Sequence, residues 1–365
     1  MAEAIHRPTW LEIDLQALLN NVNTVQSFHR ERTIWPVLKA NAYHHGVGPI
    51  AQTLIDAGIS HFSVSNLDEA IELQQIFDTH KIDATILIFG DVLYENIALV
   101  RSNWCLTMSQ LEWIKGAKEY DFSNQLHVHL EVDSGMHRRG LQTLEETKVA
   151  LAELLSDERF VVDGIYTHFA VADTDVAGTE QQAAYFRDIL HHLDYEFTHV
   201  HCANSNGALL DVSKECNGLR PGAIIYGIGI HPEDYQQYGI RQIASLYSSL
   251  VEVKQIKKGE HVGYGWSYQA GQDEWIGIIP IGYADGWVLG NQGRSVYIDG
   301  HYCEIIGRVC MDQMMVRLPG LMPAGVTVEL FGSHIPLYQV AQELGTIDYE
   351  VVCLLDERIM RTYIK

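Results

Sequence analysis

Residues 126–167 read LHVHLEVDSGMHRRGLQTLEETKVALAELLSDERFVVDGIYT, and the way this stretch divides decides the fold. Leu126–Val132 and Val161–Thr167 are short runs of strand character, while Thr143–Leu155 carries the apolar spacing of a helix. Strand, helix and strand in this order make one unit of a parallel sheet.

The same alternation extends in both directions. Candidate strands end near Lys39 (IWPVLK), Val64 (HFSV), Ile88 (ATILI), Thr107 (WCLT), Val132, Thr167, Cys202 (THVHC) and Arg220 (GLR). Helical patterns fall between them, as at Val47–Ala57, Leu67–Phe77 and Glu180–Leu193. Eight such units over about 220 residues predict an α/β fold, an N-terminal (β/α)8 barrel of the TIM type. After Gly239 the texture changes. SLVEVKQI, WIGIIPI, RSVYI, CEIIGRV and VTVEL are short, β-branched and separated by Gly-bearing turns, which predicts a mostly antiparallel β domain. The expected division is therefore 1–238 and 239–365, with the boundary in HPEDYQQYGIRQ and the first ten or so residues packing with the β domain.

Bulk properties narrow the function. The 365 residues carry a formal net charge of −22, which argues against a phosphate-backbone partner. No window approaches a membrane span, and the N-terminus shows no basic region followed by an apolar one, so neither membrane nor leader is expected. Six cysteines without CxxC spacing suggest reduced thiols in a cytoplasmic protein.

Lys39, Arg138, His168, Asn204, Ser205 and Arg220 all lie at or just after expected carboxyl ends of strands. In a parallel barrel that is the face on which active sites are built. A lysine ending an apolar run needs neutralisation, pairing or covalent use, and a Schiff base with an aldehyde cofactor is one such use. Taken alone, Lys39 also fits a lysine that snorkels at a strand end. Ser205 and Gly222 suit a phosphate site after strands 7 and 8, although Arg-Pro-Gly is also a common turn. His127, His129 and Glu131 alternate along one strand and mimic a metal site, but one strand rarely supplies a whole ligand set, so no metal is expected. Gly46-Val-Gly-Pro-Ile-Ala matches a GxGxxA pattern but follows a polar loop and is read as a helix start.

Nine blocks in order, VLKANAYHHG, DSGMHRRG, THFAVAD, CANSNGAL, LRPGAIIYG, VGYGWSY, IPIGYADGW, GRVCMDQ and IDYEVVC, resemble those of the bacterial alanine racemases. The resemblance covers essentially the whole chain and implies a barrel plus β domain in a head-to-tail homodimer acting on an amino acid with pyridoxal 5'-phosphate. It implies that Lys39 carries the cofactor and is one of two catalytic bases. Tyr264 is the other, delivered into the partner's barrel. Tyr43, Asn204, Ser205, Gly222, Ala223 and Tyr349 would hold the cofactor, with His168 and Arg220 lining the base side. Arg138 would meet the cofactor's phenolic oxygen and, with Met311, the substrate carboxylate. Glu131, Cys310, Asp312 and Arg308 would support them. The implied product is D-alanine for peptidoglycan.

The chemistry agrees with those roles. Racemisation removes a proton from one face of Cα and returns one on the other, which two opposed groups do more simply than one. Lysine and tyrosine titrate near 10 when unperturbed, so cationic neighbours are needed to make bases of them. An always-charged Arg220 facing the pyridine nitrogen would leave the ring a weaker electron sink and favour prompt reprotonation.

Three positions depart from the family. Many members carry a carbamylated lysine at position 131 that pairs with Arg138; here Glu131 is expected to supply that charge and orient Arg138. Arg139 stands where an apolar residue is usual. Val288-Leu289-Gly290 stands where relatives place a gate arginine, which loosens the expectation of strict alanine specificity. Rival readings are a broad-specificity or serine racemase, a fold-type III decarboxylase of the same architecture, and a cofactor carrier with the barrel alone.

Overall fold

The computed structural model describes residues 6–210, 212, 214–230 and 232–365. The first five residues, part of the stretch read for a leader, and His231, the first residue of the expected boundary stretch, lie outside the described residues.

Eight parallel strands lie side by side, their sequence order broken only where the last, Gly218–Leu219, pairs with the first, Thr33–Ile34. The remaining seam closes through Val37, which bridges Ser63, with Leu38 N donating to Ser63 O (2.8 Å) and Ser63 N to Pro36 O (2.9 Å). The sheet is thus a barrel, as the strand–helix alternation predicts. The seam ends one residue before Lys39, so closure itself delivers that side chain to the mouth.

Several of the barrel helices begin where a side chain satisfies one of their first N–H groups. Asn66 accepts from Glu69 N (3.0 Å), Thr143 from Glu146 N (3.1 Å) and Asp175 from Gly178 N (3.0 Å). The cap at Asp175 starts the Val176–His191 helix four residues before the expected Glu180. Gly46 opens the helix Val47–Asp56, the role read for the GxGxxA match.

A nine-stranded sheet forms the second layer. Its order runs Glu252–Ile256, Glu274–Ile279, Met314–Leu318, His301–Ile306, Ser295–Ile298, Thr327–Phe331, Ala244–Ser249, Thr9–Asp14, Met360–Ile364, antiparallel except for the last pair. The chain therefore starts in this layer and crosses to the barrel through the helix Leu15–Phe28. One continuous apolar core joins both layers, from Leu11 and Leu246 in the sheet to Val64 and Leu130 in the barrel.

The barrel interior is unusual in its polarity. Trp35 is fully buried among the rings of His61, His129, His199 and His201. Burial holds His61 and the loop residue His45 down to about 4, and drives His129 and His201 well below the usual histidine value. These imidazoles are neutral in the fold but titrate near 6.5 once unfolded, so falling pH loads protons onto the unfolded chain first. Stability fully present above 6.5 is then lost as the pH drops through 6.5 toward 4. Thermal midpoints followed by circular dichroism should be flat from about pH 8 to 7 and fall clearly by about pH 5, before most carboxylates titrate. A midpoint unchanged from about pH 7 to 5 would contradict the neutral imidazole core.

Candidate active site

The cavity at the carboxyl ends of the barrel strands has a volume of about 350 Å³, and Lys39 stands on its wall. Ala40, Asn41, Ala42, Tyr43 and His44 follow with φ between 51° and 62°, a left-handed turn built without glycine. L-residues there cost about 1–2 kcal/mol each, so the turn must be held from outside. Glu69 accepts from Ala40 N (2.8 Å) and Ser65 N (2.6 Å), and Asn41 Oδ1 accepts from Val47 N (2.7 Å). From the second layer, Leu355 O meets His44 Nδ1 (3.0 Å), Arg361 donates to His44 O (3.2 Å) and the Tyr363 hydroxyl to His45 O (3.0 Å). Burial, reinforced by the Arg138 guanidinium, lowers the proton affinity of the Lys39 amine, although Glu69 opposes the shift.

Across the cavity, strand ends seven and eight form a small cluster of donors. Ser205 Oγ accepts from Gly222 N (3.0 Å) and Ile224 N (3.2 Å), and Ala223 opens the 3-10 turn Ala223–Tyr226. A side chain at 222 is excluded, because its Cβ would lie 2.6 Å from the Tyr43 hydroxyl. Tyr43 and Tyr349 line the same wall with ring centres 6.2 Å apart. Asn204 lines the cavity too, but its amide is engaged in the loops, donating to Phe169 O (3.1 Å) and accepting from Gly207 N (2.9 Å).

Arg220 forms the floor and is 2% exposed. Its guanidinium donates to Thr167 O (2.6 Å), to Cys202 O (3.3 Å) and to His201 Nδ1, and it lies 4.6 Å from the centre of the Tyr166 ring. Because arginine only donates, His201 must carry its proton on Nε2, which points to His129 Nδ1 at 2.9 Å. One nitrogen is left over: Arg220 Nε is buried without a partner among the described residues. A buried orphan donor is expensive, and it suits an acceptor supplied by a ligand. His168 lines the cavity beside it, its proton affinity driven far down by burial, Arg220, Arg138 and Lys39.

The charge cluster on the fifth strand differs from expectation. Glu131 is buried, and its nearest cation is Arg139, with Nε 3.6 Å from Oε2; no ion pair joins it to Arg138 among the described residues. The loop Asp133–Gly140 explains this. Asp133 Oδ1 accepts from Gly135 N and His137 N (3.0 Å each), and at Gly140 (φ 116°) a Cβ would lie 2.6 Å from Asp133 N. The turn so formed leaves Arg138 exposed at the cavity rim and puts Arg139 against Glu131. The alternation that suggested a metal also disperses, since His127 pairs with Asp163 (2.5 Å) while His129 faces the barrel interior.

Tyr264, Arg308, Cys310, Met311 and Asp312 do not line this cavity. Tyr264 and Met311 stand on neighbouring turns of the second layer, 69% and 52% exposed. Those turns are joined, because Tyr283 N and Ala284 N donate to Cys310 O and Met311 O (3.0 Å each), and Gly263 passes close to Arg308 N. Asp312 pairs with Arg358 (2.7 Å), and Arg308 is exposed. Ser65, Phe89, Gly90 and Tyr166 line the cavity without having been singled out in the sequence, and Arg139, noted there only as a departure from the family, lines it too. Ser65, Phe89 and Gly90 follow expected strands directly, and that position was the available signal.

The amine, the donor cluster and the orphan guanidinium N–H fit a planar, phosphorylated aldehyde with a ring nitrogen. Comparison with known proteins agrees. Residues 13–229 match the family model described as alanine racemase, N-terminal domain, and residues 243–363 match alanine racemase, C-terminal domain. An alanine racemase of Streptococcus uberis is 43% identical, covering 100% of both chains. The solved alanine racemase of E. faecalis is 38% identical, covers 100% of both chains and superposes with a TM-score of 0.92. A histidine racemase of Leuconostoc mesenteroides is 28% identical over 100% of both chains, with a TM-score of 0.88. From this cavity and these matches, the chain belongs to the alanine racemase family.

Proposed function

We propose that the protein interconverts L- and D-alanine with pyridoxal 5'-phosphate, in a homodimer whose active sites are shared between subunits. One observation carries the reading: Lys39, the Ser205–Gly222–Ala223 corner and Arg220, whose Nε is partnerless among the described residues, all line one cavity, while Tyr264 stands exposed elsewhere.

Lys39 would hold the cofactor, Ser205, Gly222, Ala223, Tyr43 and Tyr349 would receive its phosphate, and Arg220 Nε would meet its ring nitrogen. When bound, the group supplies an aldehyde for amines and a conjugated ring that draws electrons from Cα of the substrate. Arg220 keeps its proton, because a guanidinium is not readily deprotonated, and so presents a hydrogen bond rather than a transferable proton. Lys39, with its proton affinity lowered, takes or returns the Cα proton on one face. Arg138, exposed and without an ion-pair partner, receives the substrate carboxylate.

The opposite face needs a second base, and no tyrosine of this cavity serves. Burial raises the proton affinity of Tyr43, Tyr166 and Tyr349 alike, the wrong direction for a base. The exposed turns bearing Tyr264, Tyr283 and Met311 suit burial against a second copy, whose cavity Tyr264 would then enter. The role proposed for the product is peptidoglycan synthesis in the cytoplasm, in keeping with cysteines that lack CxxC spacing.

A broader substrate range has two observations in its favour. Leu289 is exposed and Gly290 adds no charge at a place where relatives carry an arginine, and a histidine racemase shares the fold. Chiral assays with alanine, serine, histidine, arginine and lysine decide between the readings. Turnover confined to alanine would exclude the broader one.

Tyr264→Phe should keep the cofactor absorbance and lose racemisation by several orders of magnitude, whereas Lys39→Ala should lose the absorbance band itself. Near-normal turnover in Tyr264→Phe would remove it from the reaction. Mixing the two inactive variants under conditions of subunit exchange should restore about a quarter of the wild-type rate, since half the dimers pair one intact Lys39 with one intact Tyr264. No recovery despite demonstrated exchange would contradict the shared site.

A further inference from the structure

Two adjacent arginines reach the cavity rim in different company. Arg139 donates to Asp91 Oδ1 (2.6 Å) and Ser109 Oγ (3.0 Å), and its Nε lies 3.6 Å from Glu131 Oε2. Its contacts come from the loop after the third strand, the residue after the fourth and the fifth strand itself. Arg138 has no ion-pair or hydrogen-bond partner among the described residues. Glu131 is only 5% exposed, and a carboxylate so buried requires a counter-charge. Whichever arginine supplies it is engaged there and less available to a ligand in the cavity.

We propose that Arg139 is a positioning residue that occupies Glu131 and Asp91 and thereby keeps the Arg138 guanidinium unpaired for an anionic ligand. The inference rests on the reading that Arg138 receives the substrate carboxylate. Arg139 also ties together the loops after strands three, four and five, so the rim that presents Arg138 is fixed from three sides.

Glu131 faces Arg139 and Arg138 from the loop after its own strand, Arg220 from the eighth strand and Tyr166 from the sixth; of the three arginines, Arg139 acts on it most strongly. Burial pushes the Glu131 carboxyl up while these cations pull it down. Without Arg139, an ionised Glu131 turns to Arg138 and competes with the substrate. Once Glu131 takes up a proton at lower pH, the competition ends. The defect is therefore present above the Glu131 titration and lost below it.

The test is steady-state kinetics of the holoenzyme with L-alanine over a pH series, in Arg139→Met, Arg139→Lys, Glu131→Gln/Arg139→Met and Arg138→Met. Arg139→Met should raise KM about tenfold with a much smaller change in kcat, the size of one charge-assisted contact. The KM ratio to wild type should shrink as the pH falls. Arg139→Lys should recover part of the loss, and adding Glu131→Gln should remove most of it at every pH. An unchanged KM in Arg139→Met beside a raised KM in Arg138→Met would overturn the role of Arg139. A defect that Glu131→Gln does not relieve would also overturn it, because loss of packing alone would then suffice. An unchanged KM in Arg138→Met would instead overturn the carboxylate reading beneath it.

Discussion

The structure depends on a left-handed turn that L-amino acids resist. Residues 40–44 all have positive φ and none is glycine, at about 1–2 kcal/mol for each. Bonds inside the turn, such as His44 N to Ala40 O (2.8 Å), are too few to offset that cost alone. It is held by Glu69 from a barrel helix and by Leu355, Arg361 and Tyr363 from the second layer. Gly46 shows how tight the clamp is, since a Cβ there would lie 2.0 Å from the Tyr363 hydroxyl. The second layer is thus part of the site even before any partner arrives, because it fixes the conformation in which Lys39 leaves the barrel seam.

From that seam the remaining electrostatics follow. Burial keeps the neighbouring imidazoles neutral, and the cations Arg220, Arg138 and Lys39 at the barrel mouth reinforce it at His168, as Arg220 does at His201. Neutral His201 accepts from Arg220 and passes a hydrogen bond to His129, which orients the guanidinium without competing for its proton. Among the described residues the buried Nε of Arg220 has no partner, the Arg138 guanidinium is unpaired, and Lys39 keeps an amine of lowered proton affinity. These three groups suit the chemistry of a phosphorylated aldehyde and an amino acid.

Much of this was legible in the sequence because barrel geometry is written in strand ends. Lys39, His168, Ser205 and Arg220 were identifiable from position alone, and all reach the cavity. What escaped has physical reasons. The turn after Lys39 contains no glycine to announce positive φ, and its clamps lie some 310 residues away in the chain, as in the bond from His44 to Leu355. Thr9–Asp14, Ala244–Ser249, Met314–Leu318 and Met360–Ile364 were unread; Met360–Ile364 is an edge strand and Ala244–Ser249 is bulged, and such strands are defined by their partners more than by their own pattern. Glu131 was expected to meet Arg138, but the Asp133-centred turn decides which of two neighbouring arginines faces inward, and sequence spacing does not encode that choice.

The central claim is proton exchange at Cα between two opposed bases, and the most direct measurement is chiral and mass analysis of L-alanine incubated with the cofactor-loaded protein in deuterium oxide. The account predicts D-alanine carrying deuterium at Cα. Release of carbon dioxide, or no exchange with alanine alongside racemisation of a larger amino acid, would contradict it.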